Sequence, residues 1–277
     1  MLSRRGLLAG SALALLAGCS SAPSGPPPGP PAVPVPSGPA PLRDPVTVQR
    51  MPSAARGTDV DLVLISPEGV PASGLPVCLA LHGRGARART FLELGVPAAL
   101  TAAVRAGVPP FAIAAVDGDH YWVAVGDEDD PQKMLTDEVP AWVKQRDLLP
   151  PSAVLGISMG GFGALRYARA HPDLKAAAVA SAALFVSWPD ARARKVFADE
   201  ANWRAEEPLL HPDELSGVNL GVWCGESDPF AGADRKLVKA VSPAVARFSP
   251  GKHEDVYWRG VLPDVFEFVG RKITPAG

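Results

Sequence analysis

Ser158 lies in Gly156-Ile157-Ser158-Met159-Gly160, directly after the apolar run Ala153-Val154-Leu155 and before the small residues Gly161-Phe162-Gly163-Ala164. A buried strand that ends on a serine, with glycines two residues to either side, and then opens into a helix is the setting of a nucleophile elbow. The tight turn strains the serine, and the glycines let neighbouring backbone pass closely. The hydroxyl is left at a helix amino terminus, whose dipole favours developing negative charge. Chance supplies such a pentapeptide roughly 0.1–0.2 times in a chain of this composition, so the setting, more than the pentapeptide, marks Ser158 as a nucleophile.

A hydroxyl at neutral pH attacks poorly and needs a base held in place by an acid. On a strand–turn–helix scaffold these partners follow the serine in the order acid, then histidine. His253, in Ser249-Pro250-Gly251-Lys252-His253, comes just after the last apolar strand and is the candidate base. His211 precedes Pro212 in an irregular stretch, His171 closes the nucleophile helix before Pro172, and His82 and His120 precede the serine. Asp228, beyond the strand segment Val222-Trp223-Cys224, is the candidate acid, with Glu226 and Asp234 as competing carboxylates. The developing oxyanion needs two backbone N–H donors. One comes from Met159, the residue after the nucleophile. The other comes from the loop Leu81-His82-Gly83-Arg84-Gly85, where Arg84 is the expected donor and His82 the scaffold of the loop.

These residues need elements to hold them. Apolar runs predict strands at 46–51, 60–66, 76–81, 111–116, 153–157, 176–181, 218–224 and 244–248, and amphipathic stretches predict helices at 90–106, 131–147, 160–170, 233–240 and 254–269. Near-continuous apolar strands such as Val77-Cys78-Leu79-Ala80-Leu81 suit a parallel sheet covered on both faces, and the alternation makes one α/β domain. Residues 186–213, with Trp188 and Trp203, fit no sheet element and read as an insertion over the carboxyl edge of the strands, where such folds bind ligands. Cys78 and Cys224 fall inside strands and read as small buried hydrophobes rather than a disulfide. His120, Tyr121 and Trp122 follow the fourth strand, and with Trp258 they are the candidate substrate-binding residues.

The two motifs together resemble those of the esterase D and mycolyltransferase (antigen) group of α/β-hydrolases. Residues Ser158-Met159-Gly160-Gly161-Phe162-Gly163-Ala164-Leu165 are similar to that group's elbow, and Gly251-Lys252-His253 followed by Tyr257-Trp258 is similar to its histidine motif. Over about residues 60–269 the resemblance implies an eight-stranded, mostly parallel α/β-hydrolase sheet with helices on both faces, and acyl-ester chemistry with Ser158, Asp228 and His253 as triad. Mycolyltransferases carry a glutamate as triad acid, and no acyl-chain channel is recognisable here. The expectation is therefore a serine esterase acting on a lipid, glycan or other small ester. Transfer of the acyl group to a carbohydrate hydroxyl is the alternative, and an inactive binding lipoprotein on the same fold is the alternative from another class.

The amino terminus reads as an address. Arg4 and Arg5 precede an apolar run too short to span a bilayer, and Leu16-Ala17-Gly18-Cys19 resembles a lipobox, after which Cys19 would be acylated. The paired arginines suit either twin-arginine or general export. Residues 1–19 are thus expected to be a lipoprotein signal peptide, 20–45 a Pro-rich stalk and 46–277 the hydrolase domain, held on the extracytoplasmic face of the cell membrane as a monomer. A formal charge of −2 over 277 residues argues against a nucleic-acid partner, and a mean hydropathy of +0.10 excludes a polytopic membrane protein. No residue cluster suggests a metal or a phosphate-binding loop, so no cofactor is expected.

Overall fold

The computed structural model describes residues 44–274. The expected signal peptide, Cys19 and nearly all of the Pro-rich stretch lie outside the described residues. Eight strands form one sheet: β1 (Val46–Ser53), β2 (Thr58–Ile65), β3 (Val77–Leu81), β4 (Ala112–Val116), β5 (Pro151–Ile157), β6 (Ala176–Ala180), β7 (Leu220–Gly225) and β8 (Val245–Ser249), in the order β1-β2-β4-β3-β5-β6-β7-β8. β1 and β2, and β2 and β4, pair antiparallel. Every pairing from β4 across to β8 is parallel.

Nine α-helical segments are described: α1 (Thr90–Glu93), α2 (Val96–Arg105), α3 (Pro131–Lys133), α4 (Val139–Lys144), α5 (Met159–Ala170), α6 (Trp188–Arg192), α7 (Glu200–Glu206), α8 (Ala231–Val241) and α9 (Asp255–Ile273). Alternation along the strands divides the core into two layers. Leu79, Val154 and Val179 pack with Phe162 and Leu165 of α5 and Leu237 of α8 on one face. Cys78, Leu155 and Ala178 pack with Leu100 of α2 and Phe266 of α9 on the other. Both faces are dry, which is why β3, β4 and β6 contain no polar residue.

Two predicted helices come out broken, each for a local reason. The 90–106 stretch splits at Gly95, whose φ of 78° ends α1 and restarts the chain as α2 with a proline in its first turn. The 131–147 stretch widens into a π-turn over Met134–Glu138 ahead of Pro140, which has no N–H to give to the turn before it. Cys78 and Cys224 are buried free thiols on strands separated by two others, so no disulfide joins them.

The 186–213 insertion is anchored by a buried carboxylate. Glu207 accepts hydrogen bonds from the Phe185 and Leu209 N–H groups and from Trp203 Nε1. Burial outweighs these bonds and pushes its carboxyl up to about 7 from an ordinary 4.5. A folded-state pKa above the unfolded one gives stability that is complete below pH 4.5 and is lost as the pH rises through 7. Wild-type protein should therefore lose more stability between pH 5 and pH 8 than Glu207→Gln does, as read by chemical denaturation at both pH values. Equal losses would mean that Glu207 ionises freely in the folded chain.

The elbow is the tightest point of the packing. A Cβ on Gly160 would lie 1.8 Å from the Leu81 carbonyl oxygen, and one on Gly156 would lie 2.0 Å from the Gly160 carbonyl oxygen. Both neighbours are backbone and cannot move aside as a side chain would. Gly160→Ala is expected to cost more than about 3 kcal/mol in urea unfolding.

Candidate active site

The carboxyl ends of four parallel strands deliver the site. β5 leads into Ser158, which takes φ 57° and ψ −119° as the turn into α5. This left-handed conformation costs a non-glycine residue about 1–3 kcal/mol, and the sheet, α5 and the two glycines hold it in place. It lifts the side chain out of the sheet and above the first turn of α5. Ser158 is buried, at 8% exposure.

The loop after β8 brings His253 to the serine: Ser158 Oγ and His253 Nε2 are 2.8 Å apart. The loop after β7 brings Asp228, whose Oδ2 is 2.8 Å from His253 Nδ1. An ionised carboxylate can only accept, so Nδ1 carries the imidazole proton and Nε2 is free to accept from the serine hydroxyl. The Asp228 carboxylate is fully buried. Burial opposes its ionisation, but hydrogen bonds from His253, the Phe230 N–H and the Ser181 hydroxyl prevail and hold its pKa below the ordinary carboxylate value. The competing acids are disposed of by position. Glu226 is exposed, with its backbone N–H tied to Ser249. Asp234 is buried at the start of α8 and accepts from the Ala182 N–H, and burial raises its pKa well above normal.

The loop after β3 passes directly over the nucleophile, since a Cβ on Gly83 would lie 3.3 Å from Ser158 Cβ. Neither the Met159 nor the Arg84 N–H meets an acceptor among the described residues. Two free donors beside the nucleophile are what an incoming oxyanion requires. His82 is the scaffold of this loop: its Nδ1–H donates to the Gly83 carbonyl at 2.8 Å and its Nε2 accepts from the Gly118 N–H at 2.9 Å. Burial lowers its pKa and keeps that tautomer neutral.

The proposed wall residues divide. His120, Tyr121 and Trp122 take three successive left-handed φ values of 50°, 58° and 60°, a turn closed by a bond from the His120 N–H to the Asp119 side chain. This turn sends neighbouring side chains in different directions. Tyr121 lines the cleft and leans on Phe162 and Phe185. Trp122 is wholly buried beneath α5, where it fills the space a side chain on Gly163 would need, and donates to the His82 carbonyl. His120 stays half-exposed outside the cleft. Trp122 is therefore corrected from wall to support, and His120 from wall to a residue outside the cleft. Trp258 lines the cleft, with its ring edge-on to His253 at 5.1 Å. The cleft above Ser158 has a volume of about 460 Å³, and Phe91, Leu94, Tyr121 and Phe230 form its apolar wall.

The fold, with its acid after β7 and its histidine after β8, defines an α/β-hydrolase. A family model described as Putative esterase matches residues 53–267, and the chain belongs to that family of carboxylic ester hydrolases. Similar solved structures include a ferulic acid esterase (20% identity, TM-score 0.69, covering 83% of this chain and 98% of that one). An S-formylglutathione hydrolase from Agrobacterium tumefaciens (16%, 0.69, 82% and 95%) and MPT51 of Mycobacterium tuberculosis (18%, 0.68, 84% and 100%) share the same fold. No curated protein matches the sequence closely enough to count as a relative.

Sequence reasoning missed Ser181. It follows β6 in a left-handed conformation (φ 54°), is completely buried, and stands between Trp258 and the acid: Trp258 Nε1 donates to Ser181 Oγ at 3.1 Å, and the Ser181 hydroxyl helps hold the Asp228 pKa down. One hydroxyl after an alanine-rich strand was its only signal. Ser181→Ala removes that link without adding volume. It should lower kcat about tenfold with little change in KM, the loss of about one charge-assisted hydrogen bond. An unchanged kcat would make Ser181 a packing residue only.

Proposed function

We propose that this protein is a serine esterase that works through an acyl-enzyme. The observation that carries the reading is the continuous line Ser158 Oγ–His253–Asp228, both links at 2.8 Å, beneath two backbone donors that meet no acceptor among the described residues. Ser158 attacks the ester carbonyl while His253 Nε2 takes the hydroxyl proton. The ionised Asp228 stabilises the imidazolium, and the Met159 and Arg84 N–H groups receive the oxyanion, each donor being worth about 3–4 kcal/mol in such sites. His253 then returns the proton to the departing alcohol. Water, deprotonated by the same imidazole, attacks the acyl carbonyl and releases the acid with Ser158 restored.

The place of action belongs to the same proposal. Arg4, Arg5 and the sequence ending at Cys19 support export and acylation, which would set the domain outside the cytoplasm on a membrane. Its substrates would then be envelope or extracellular esters. Replacing Cys19 with alanine should shift the protein from the membrane fraction to the soluble one, and retention on the membrane would contradict lipid anchoring.

Steady-state hydrolysis of 4-nitrophenyl acetate is the direct test of the chemistry. Ser158→Ala should lose about 10⁴-fold or more in kcat, and Asp228→Asn a comparable amount because the asparagine amide favours the wrong histidine tautomer. Glu226→Gln should change little, since that side chain faces solvent. Wild-type rates in Ser158→Ala would contradict the proposal. A methanol or trehalose series separates the two fates of the acyl group. Acid as the main product identifies a hydrolase, and a dominant new ester identifies an acyltransferase.

A further inference from the structure

The insertion places one arginine against the cleft with no carboxylate partner among the described residues. The Arg194 guanidinium lies 5.5 Å from the centre of the Phe185 ring and 5.6 Å from that of Phe230. Its Nε is sealed from solvent and meets no acceptor, and its side chain makes no ion pair or hydrogen bond among the described residues. Three other partly buried arginines are treated differently: Arg56 is paired with Asp129, Arg166 with Glu206 and Arg169 with Glu214. A guanidinium cannot shed its proton, and burying even its Nε without an acceptor has a cost. The two aromatic rings offset part of that cost and fix the plane of the group, but they leave the N–H fork without an acceptor.

The Arg194 fork borders the same cleft as Ser158. Arg84 reaches this cleft from the oxyanion loop and likewise has no carboxylate partner among the described residues. Tyr121 stands close enough to both cations for each to bear on its hydroxyl. The one acid on the cleft wall is Asp255, beside His253, and its nearest cation is Arg259 at 3.9 Å. Behind Arg194 an adjoining hollow holds Lys236 and Asp190, and Asp190 is taken up by the Ser187 hydroxyl. On the cleft wall the Arg194 side therefore carries the cations, and the His253 side carries the one lining carboxylate, Asp255.

We propose that Arg194, assisted by Arg84, receives an anionic group of the substrate, so that the preferred ester bears a carboxylate, or a sulfate or phosphate of like charge, near its scissile carbonyl. The proposal rests on the esterase reading and names its substrate class. A planar guanidinium whose Nε is already buried and whose plane two rings fix binds such a group in a fork geometry that lysine cannot reproduce. The neutral ester still finds the apolar wall, so charge acts as selection and not as an absolute requirement.

Matched substrates test it. 4-Nitrophenyl valerate against the mono-4-nitrophenyl ester of glutaric acid puts the charge on the acyl side. Phenyl acetate against 3-acetoxybenzoate puts it on the leaving group. In at least one pair, the charged-to-neutral ratio of kcat/KM should fall about tenfold or more in Arg194→Gln. Arg194→Lys should recover part of it. The same ratio in wild type and Arg194→Gln for both pairs would overturn the proposal. If wild-type protein hydrolyses none of the four esters, calorimetric titration of Ser158→Ala with glutarate decides. Binding that Arg194→Gln abolishes keeps the anion site while the esterase reading fails, and no binding ends the proposal.

Discussion

The structure depends on the turn at Ser158. A chain leaving a buried parallel strand and entering a helix within one residue must adopt a backbone conformation that a serine resists. It must also bring backbone atoms to distances that no side chain permits at Gly156 and Gly160. Strain of this kind persists only where the surroundings over-determine it. Here they do: the elbow is wedged between β3, β5 and α5, with the Leu81 carbonyl against Gly160 and the loop at Gly83 against the serine itself. The packing that forces the turn also sets the oxyanion donors beside the nucleophile, so the strain and the reactive geometry have one cause.

The rest of the site is a problem in keeping one buried charge satisfied. Asp228 is shut away from water yet ionised, which is tolerable only because three donors converge on it. The imidazole, the Phe230 N–H and the Ser181 hydroxyl share that task, and Trp258 fixes Ser181 in turn. A carboxylate held this way cannot rotate, and neither can the ring that bonds it. His82 does for the oxyanion loop what Asp228 does for His253. It is a buried, neutral ring whose two nitrogens are both engaged and whose fixed tautomer ties the end of β3 to the turn after β4.

Much of this was legible in the sequence. Parallel strands buried on both faces announce themselves as unbroken apolar runs, and all eight were placed to within a few residues. Ser158, His253 and Asp228 were recoverable because each follows a strand, which fixes its edge of the sheet before any side chain is considered. What escaped depended on backbone direction. Tyr121 and Trp122 look equivalent as neighbours, and only the left-handed turn that follows Asp119 separates a cleft wall from a wedge under α5. Ser181 and Arg194 escaped because their meaning lies in partners far along the chain: Asp228 and Trp258 for the serine, and, for the arginine, two aromatic rings with no carboxylate partner among the described residues. The two broken helices follow from Gly95 and Pro140, which were visible but set against strong apolar periodicity.

The central claim is that Ser158 is an activated nucleophile, because the line from Asp228 through His253 to Ser158 is complete. Intact mass of the folded protein after treatment with a fluorophosphonate tests this most directly. One stoichiometric adduct on wild type, absent from Ser158→Ala, is the predicted result. A folded wild-type protein that takes up no adduct, or an adduct that survives in Ser158→Ala, would contradict it.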